Sequence, residues 1–307
     1  MLKNKKKLIF IFNPKAGTGM VRPILSDLIL LFEQYGYEVI VYATQGPKDA
    51  CEKVKEYANE VDMIVCSGGD GTLDEAVTGL MEVGSSTPLG YIPAGSTNDF
   101  ANSLFMPKNP LDVAKNLLAG NRYQCDVGKF NDRNFIYVAA FGLFTDVSYQ
   151  TSQDLKNVLG HMAYVLEGVS RLFDIKSYHM KVTLGEYVLE GDFIVGMITN
   201  SRSIGGFKNL VKDVDMNDGL FEVTLIEMPK NPMELQQIVG ALLMEDDNLE
   251  LIHSFKAKEL VIDSDGPVSW TLDGEFGGEL SHVKIQNVHK ALNLCLTSTK
   301  EEKTTNG

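Results

Sequence analysis

Met63-Ile64-Val65-Cys66-Ser67-Gly68-Gly69-Asp70-Gly71-Thr72-Leu73-Asp74-Glu75-Ala76 is the stretch that decides the fold. A short apolar run ends in glycines, and an amphipathic segment follows. Met63–Cys66 reads as a buried strand, and Leu73–Met81 predicts a helix. Three glycines, Gly68, Gly69 and Gly71, let the backbone approach a ligand and take conformations barred to other residues. Thr72 is placed to cap the helix expected from Leu73, which would point free N–H groups at an anion. The loop therefore suits phosphate. Asp70 does not suit direct phosphate contact, because like charges repel, so it reads as a residue organising magnesium or a polar network. The alternative is an ordinary strand-to-helix turn.

The same alternation extends outward on both sides. Leu8–Phe12 and Tyr37–Ala43 are strand-like, and Val21–Tyr35 and Asp49–Ala58 are helix-like. Beyond the glycine loop, Leu89–Pro93 is a further strand, followed by helical patterns at Thr97–Leu104 and Leu111–Leu118. Alternating strands and helices imply a parallel sheet covered on both faces. Ligands of such sheets bind beyond the carboxyl ends of the strands. Three of those ends carry polar loops: Asn13-Pro14-Lys15-Ala16-Gly17, Ser67–Thr72, and Pro93-Ala94-Gly95-Ser96-Thr97-Asn98-Asp99. They are expected to converge on one crevice. Gly17-Thr18-Gly19 is alternatively a plain turn.

The pattern changes near Tyr123. Asn131-Asp132-Arg133-Asn134 between Phe130 and Phe135 looks like a hairpin turn. Alternating runs at Met180–Leu184, Tyr187–Ile198, Leu220–Ile226, Leu260–Ile262, Val268–Leu272 and Val283–Ile285 suggest an antiparallel β domain. Helical patterns interrupt it around Leu155–Phe173 and Pro232–Met244. The stripe Leu155–Phe173 reads as core packing, with a lipid groove as the alternative. The tail from Lys300 is polar.

Composition excludes several classes. A net charge of −13 leaves no general cationic surface for nucleic acid. Membrane contact would need a local basic or apolar patch; the lysines of Met1–Leu8 read as a solvated start to the first strand, with a peripheral membrane contact as the alternative. Cys51, Cys66, Cys125 and Cys295 form neither a disulfide framework nor a CxxC zinc site. The five histidines form no close metal-spaced pair. The apolar run Leu8–Phe12 is too short for a signal-peptide core, and nothing is long and apolar enough to span a bilayer. The expected compartment is the reducing cytoplasm.

Two acidic clusters lie in the β domain. Asp213-Val214-Asp215-Met216-Asn217-Asp218-Gly219-Leu220 can hold a hard cation through oxygen ligands, or is a solvated acidic turn. It is not an EF-hand, because Asp218 stands where glycine is needed and Thr224 where glutamate should close the loop. In Trp270-Thr271-Leu272-Asp273-Gly274-Glu275-Phe276, two carboxylates straddle a glycine. A positioned carboxylate can accept the proton of an alcohol undergoing phosphorylation, and the same residues also read as an acidic hairpin turn.

The common phosphate loop GxxxxGK followed by Ser or Thr is absent, as are the HRD and DFG elements of protein kinases and the full GxGxxG fingerprint. Instead NPKAGTG, SGGDGTLDEAVTGL and PLGYIPAGSTNDFA, in this order and spacing, resemble the diacylglycerol kinase catalytic domain. The nearest likeness is to the soluble bacterial lipid kinases of that family, and it covers nearly the whole chain. GGDGT alone is shared with NAD kinases and phosphofructokinases. The resemblance implies an α/β N-terminal domain with a parallel sheet, of the NAD kinase and diacylglycerol kinase kind. A mainly antiparallel β-sandwich C-terminal domain would follow. The expected bounds are residues 1–124 with 291–307 returning to them, and residues 125–290.

The resemblance further implies ATP bound between the two domains. Asn13, Pro14, Lys15, Ala16, Gly17, Thr44, Ser67, Gly68, Gly69, Asp70, Gly71, Thr72 and Thr97 would surround it. It implies a structural magnesium on Asp215, Asp218 and the Leu220 carbonyl. The proton acceptor would be Glu275, with Asp273 close by and Asp70 in the catalytic network. Asp126 either joins that network or is a plain turn residue. The chain departs from the family at Asn102, where Arg is frequent, at Lys212 in place of a proline, and at Asp74 in place of an Asn. Asn102 leaves the balance of substrate charge unassigned. The expected activity is ATP- and magnesium-dependent phosphorylation of a lipid hydroxyl, diacylglycerol giving phosphatidic acid, by a cytoplasmic protein in transient contact with the membrane. The alternatives are an NAD kinase-like enzyme and a non-catalytic nucleotide or lipid sensor. The sequence leaves a homodimer open.

Overall fold

The computed structural model describes residues 5–17, 19–96, 98–104, 106–120, 122–142, 175–200, 203–204, 207–208, 215–244 and 249–296. Thr97, the stripe Leu155–Phe173, Lys212, Asp213 and Val214, and the tail from Lys300 lie outside the described residues. The chain divides into two compact units, residues 1–125 with 290–307, and residues 126–289.

In the first unit, β1 (Lys6–Phe12), β2 (Tyr37–Ala43), β3 (Met63–Gly68) and β4 (Leu89–Pro93) stand in the order β4-β3-β1-β2. Every neighbouring pair is parallel. Phe10 lies opposite Val41 on one side and Val65 on the other. The last five residues of β1 and all of β3 and β4 are buried, whereas β2 at the edge is partly exposed. Burial along whole strands is what a parallel sheet with covered faces requires.

The helices are α1 (Leu25–Gln34), α2 (Asp49–Tyr57), α3 (Asp70–Val83), α4 (Asp99–Ser103) and α5 (Pro110–Leu118). Leu28 and Phe32 of α1 and Val113 and Leu117 of α5 share one core with Leu8 and Phe10. The pattern Val21–Tyr35 is not a single helix. Pro23 lies in a separate 3-10 turn, Arg22–Ile24, because proline has no N–H to donate and is tolerated only in the first turn. Helices α2 and α3 pack on each other so closely that a Cβ on Gly79 would lie 2.7 Å from the Cys51 carbonyl oxygen.

Strand β5 (Arg122–Phe130) carries the chain into the second unit. There follow β6 (Arg133–Phe135), β7 (Val138–Gly142), β8 (Tyr178–Leu184), β9 (Tyr187–Thr199) and the short pair β10 (Ser203–Ile204) and β11 (Phe207–Lys208). Then come β12 (Phe221–Glu227), α6 (Pro232–Met244), β13 (Ile252–Ala257), β14 (Glu259–Leu272) and β15 (Glu275–Cys295). Pairing in this unit is antiparallel, in the order β13-β12-β9-β7-β14-β15, and β8 bridges β9 and β14. The β5–β6 turn is tighter than the sequence suggests. Phe130 pairs with Arg133, leaving only Asn131 and Asp132 in the turn, with Asn131 at φ 52°. Phe130, Phe135, Phe141, Phe193, Phe221 and Trp270 fill the core. The Trp270 ring lies 5.0 Å from Phe130 and 4.9 Å from Phe141, edge-on to both.

The last residues of β15 belong to the first unit, where Leu294 and Cys295 pair in parallel with Leu89 and Gly90. No described helix is long and apolar enough to cross a membrane.

Candidate active site

The three polar loops of the first unit meet backbone to backbone. A Cβ on Gly17, which has φ 52°, would lie 2.4 Å from the Ala94 carbonyl oxygen. A Cβ on Gly95 would lie 2.6 Å from the Cα of Gly69, and one on Gly68 would lie 2.2 Å from Thr72 Oγ1. These approaches admit only glycine. The loops are then pinned by hydrogen bonds. The Asn13 N–H donates to the Ser67 carbonyl at 2.8 Å, and the Ala94 N–H donates to the Gly68 carbonyl at 2.8 Å. Asn98 closes its own loop, accepting from the Gly95 N–H at 2.9 Å and donating to the Gly95 carbonyl at 2.8 Å. Tyr91 reaches in from β4 and donates to the Gly68 carbonyl at 3.1 Å.

Helix α3 does not begin at Leu73. It begins at Asp70, with Gly69 as its extended N-cap and no side-chain cap. The Thr72 and Leu73 N–H groups both donate to the Gly69 carbonyl, at 3.1 and 3.2 Å. Thr72 thus sits inside the first turn, buried against Gly68, and is not the cap. The physical reason is local. Gly69 adopts the extended conformation an N-cap needs, which moves the helix start three residues upstream. Ahead of Thr72 and Leu73, the first N–H groups of such a helix have no intrahelical acceptor and suit an anion.

Asp70 performs the network role. Its Oδ2 accepts the Asp99 N–H at 3.2 Å and its Oδ1 faces the Phe100 N–H at 3.4 Å. The glycine loop is thereby tied to the start of α4. Burial pushes the Asp70 carboxyl above the ordinary aspartate value, and the N–H groups of Asp99 and Phe100 partly oppose that rise. A raised folded-state value means the folded chain holds this proton more tightly, so Asp70 costs stability as pH rises through that window. Asp70→Asn removes the titration. Its Tm relative to wild type is expected to increase between pH ~4, the ordinary aspartate range, and pH 7, while kinase activity is lost. A Tm difference that stays flat or shrinks over that span contradicts this account.

The remaining loop residues divide by exposure. Lys15 and Gly17 are exposed, and Asn13, Pro14, Ala16, Thr44, Gly69 and Gly71 are half-buried. Asn13 Oδ1 accepts the Lys15 N–H at 2.9 Å, and the Thr44 N–H donates to the Phe12 carbonyl at 2.9 Å. Ser67 is fully buried, and its hydroxyl donates to the Ile92 carbonyl at 2.9 Å, serving the sheet.

In the second unit, Asp273 and Gly274 form the two-residue turn between β14 and β15, at φ 50° and 83°, with Leu272 paired to Glu275. Two successive positive φ values suit the right-handed twist of the hairpin. The Asp273 carboxylate is buried and engaged by backbone. Oδ2 accepts the Ile136 N–H at 2.6 Å, and Oδ1 accepts those of Tyr137 at 3.0 Å and Val138 at 2.9 Å. Tyr137 donates its hydroxyl back to the Asp273 carbonyl at 3.0 Å. Asp273 is thus a clamp on the hairpin. Glu275, one residue past the turn, is exposed.

The described part of the acidic loop is anchored from below. Asp126, fully buried in β5, accepts the Gly219 N–H at 2.7 Å through Oδ2, and its Oδ1 lies 3.0 Å from His289 Nδ1. Its own N–H donates to the Met216 carbonyl at 2.8 Å. It is a strand residue, not a turn residue. Asp215 and Asp218 are exposed. Asp218 Oδ1 accepts the Leu220 N–H at 2.9 Å, and Lys256 Nζ lies 3.2 Å from Asp218 Oδ2 and 3.1 Å from Glu222. Carboxylate and carbonyl oxygens are the donors magnesium prefers, and an ammonium group already rests on Asp218 as a cation. The donor chemistry therefore fits. Among the described residues no three or more His, Cys, Asp or Glu side chains gather at metal-binding distance, so a cation on Asp215 and Asp218 would need the Leu220 carbonyl and water to complete its shell.

Sequence reasoning passed over Asn98, Tyr91 and Glu75. Glu75 accepts N–H groups from Lys48 and Ala50, distant in sequence. Its only sequence signal is an acid one turn beyond a glycine loop.

The class, a kinase, is set by the relatives of the chain. Residues 7–130 match the diacylglycerol kinase catalytic domain, and residues 139–296 match the YegS C-terminal NAD kinase beta sandwich-like domain. The chain belongs to the diacylglycerol kinase family. It is 31% identical over 299 residues to a diacylglycerol kinase of Bacillus subtilis, covering 97% of this chain and 98% of that one. It is 32% identical over 278 residues to a diacylglycerol kinase of Staphylococcus saprophyticus, covering 90% and 91%. A crystal structure of a diacylglycerol kinase from Bacillus anthracis shares the fold at TM-score 0.75 and 23% identity, covering 96% of this chain and 98% of that one.

Proposed function

We propose that this kinase transfers the γ-phosphoryl group of ATP to the hydroxyl of a lipid alcohol, with diacylglycerol as acceptor and phosphatidic acid as product. The observation that carries the nucleotide half is the close approach of Gly17 to the Ala94 carbonyl and of Gly95 to the Gly69 backbone, which leaves backbone rather than side chains where these loops meet at the strand ends. The acceptor is inferred from the names of the relatives.

In the proposed reaction the acceptor oxygen forms a bond to the γ-phosphorus as the bond to the β–γ bridging oxygen breaks, and ADP leaves. The hydroxyl proton passes to a Glu275 carboxylate oxygen. Asp273 holds the hairpin that presents Glu275. Asp70 holds the glycine loop against the start of α4. Magnesium accompanying the nucleotide would supply charge neutralisation, and a separate, structural magnesium would be held by Asp215, Asp218 and the Leu220 carbonyl. Positioning and charge neutralisation supply most of the catalysis in such transfers, so rigid loops matter more than covalent chemistry. The proposed site of action is the surface of a membrane, reached from the cytoplasm.

The test is ATP consumption with magnesium in mixed micelles containing diacylglycerol, beside parallel reactions with NAD and with no acceptor. Turnover that depends on diacylglycerol is expected. Turnover that depends on NAD would replace the lipid reading. ATP binding without turnover in any tube would point to a sensor or another alcohol.

A further inference from the structure

The two carboxylate oxygens of Glu75 are spent on a neighbouring helix. Oε1 accepts the Lys48 N–H at 2.7 Å and Oε2 accepts the Ala50 N–H at 3.0 Å. Lys48 precedes α2 in the left-handed conformation, φ 67°, and caps it with no side chain of its own. A non-glycine residue there is held by its surroundings. The cap of α2 therefore comes from α3, the helix that opens on the glycine loop. A carboxylate at a helix start is also favoured by the helix dipole.

The connection continues from α2 to the end of β2. Asp49 Oδ2 accepts the Gln45 N–H at 2.6 Å, and the Tyr42 hydroxyl donates to Asp49 at 3.0 Å. Gln45 Nε2 donates to the Ala43 carbonyl at 2.8 Å. Thr44, between Ala43 and Gln45, is bound to β1 through the Phe12 carbonyl. A parallel route runs through the sheet, from the Thr44 N–H to the Phe12 carbonyl and from the Asn13 N–H to the Ser67 carbonyl; the Glu75 series adds the hold on Gln45 and the start of α2.

We propose that Glu75 is a positioning residue for nucleotide binding: through the start of α2 and Asp49 it fixes the Thr44–Gln45 turn relative to the glycine loop on its own helix. This rests on the reading of Thr44 and Gly68–Thr72 as nucleotide contacts. Lys55 and Glu82 form a second link between α2 and α3, remote from Thr44 in sequence. Removing that link tests helix packing alone.

ATP binding to the full-length chain is measured by calorimetry for wild type, Glu75→Gln, Asp49→Asn and Glu82→Gln, with Tm recorded for each. Glu75→Gln is expected to weaken ATP about tenfold, the scale of one charge-assisted hydrogen bond. Its KM for ATP should rise while kcat and the KM for lipid hold. Asp49→Asn, which breaks the same series one link nearer Thr44, should weaken ATP in the same direction even if Glu75→Gln folds poorly. Glu82→Gln should bind ATP as wild type does. Wild-type affinity in both Glu75→Gln and Asp49→Asn, or equal weakening in Glu82→Gln, overturns the proposal alone. Wild type that binds no ATP removes the nucleotide reading and the proposal together.

Discussion

Glu275→Gln is expected to lower kcat for lipid phosphorylation by about a hundredfold or more, the contribution of a positioned general base, with ATP affinity unchanged. Glutamine has nearly the shape of glutamate, so the hairpin and its clamp persist. What is lost is the ability to take a proton. Glu275 is exposed and sits one residue past a turn that Asp273 fixes, so the substitution orphans no buried partner. Tm should therefore stay close to wild type. The check is steady-state kinetics beside ATP calorimetry and a melting curve. Normal turnover removes Glu275 as the base. Lost turnover with lost ATP binding means the residue acts on the nucleotide instead.

The second large effect is on stability. Asp273→Ala leaves the N–H groups of Ile136, Tyr137 and Val138 without their acceptor in a buried place. At about 1–3 kcal/mol for each unsatisfied buried group, the loss is on the order of 4 kcal/mol. That is a large share of the ~5–15 kcal/mol that holds a typical domain. Tm should fall by roughly 10 °C, or the protein should fail to accumulate. Asp273→Asn keeps one acceptor oxygen and tolerates positive φ, so it is the informative partner. It should melt between wild type and Asp273→Ala and keep most of its turnover. Wild-type Tm with abolished turnover in Asp273→Asn would show instead that the Asp273 carboxylate takes part in the chemistry.

These two residues also show what the sequence made legible. The turn at Asp273-Gly274 could be read from the Asp-Gly pair, because the backbone conformation it favours is a local property. The function of the Asp273 side chain could not, because its partners lie 135 to 137 residues away in the chain. The same holds for Asp126, whose acceptor role toward Gly219 spans 93 residues, and for Glu75, whose partners lie 25 and 27 residues back. Periodicity reports which face of an element is buried and is silent on which distant amide a carboxylate meets.

Element existence was legible for the same local reason. Met63–Cys66 is four apolar residues with no room for a helix, and β3 forms there. Ends were less so. Gly69 took the cap expected of Thr72. Strand β14 joins two runs, Leu260–Ile262 and Val268–Leu272, that read as separate strands, and β15 runs far beyond the run Val283–Ile285 that signals it. Asp263, Glu279 and Lys284 are exposed residues within the ladders, and such solvent-facing charges hide a strand from any count of apolar residues.

The central claim is tested most directly by following the label of γ-phosphate-labelled ATP incubated with magnesium and diacylglycerol micelles, using wild type and Glu275→Gln. The account predicts label in a lipid phosphate monoester with wild type, and labelling slower by about a hundredfold or more with Glu275→Gln. Label released only as inorganic phosphate, or carried to NAD while the lipid stays unlabelled, would contradict it.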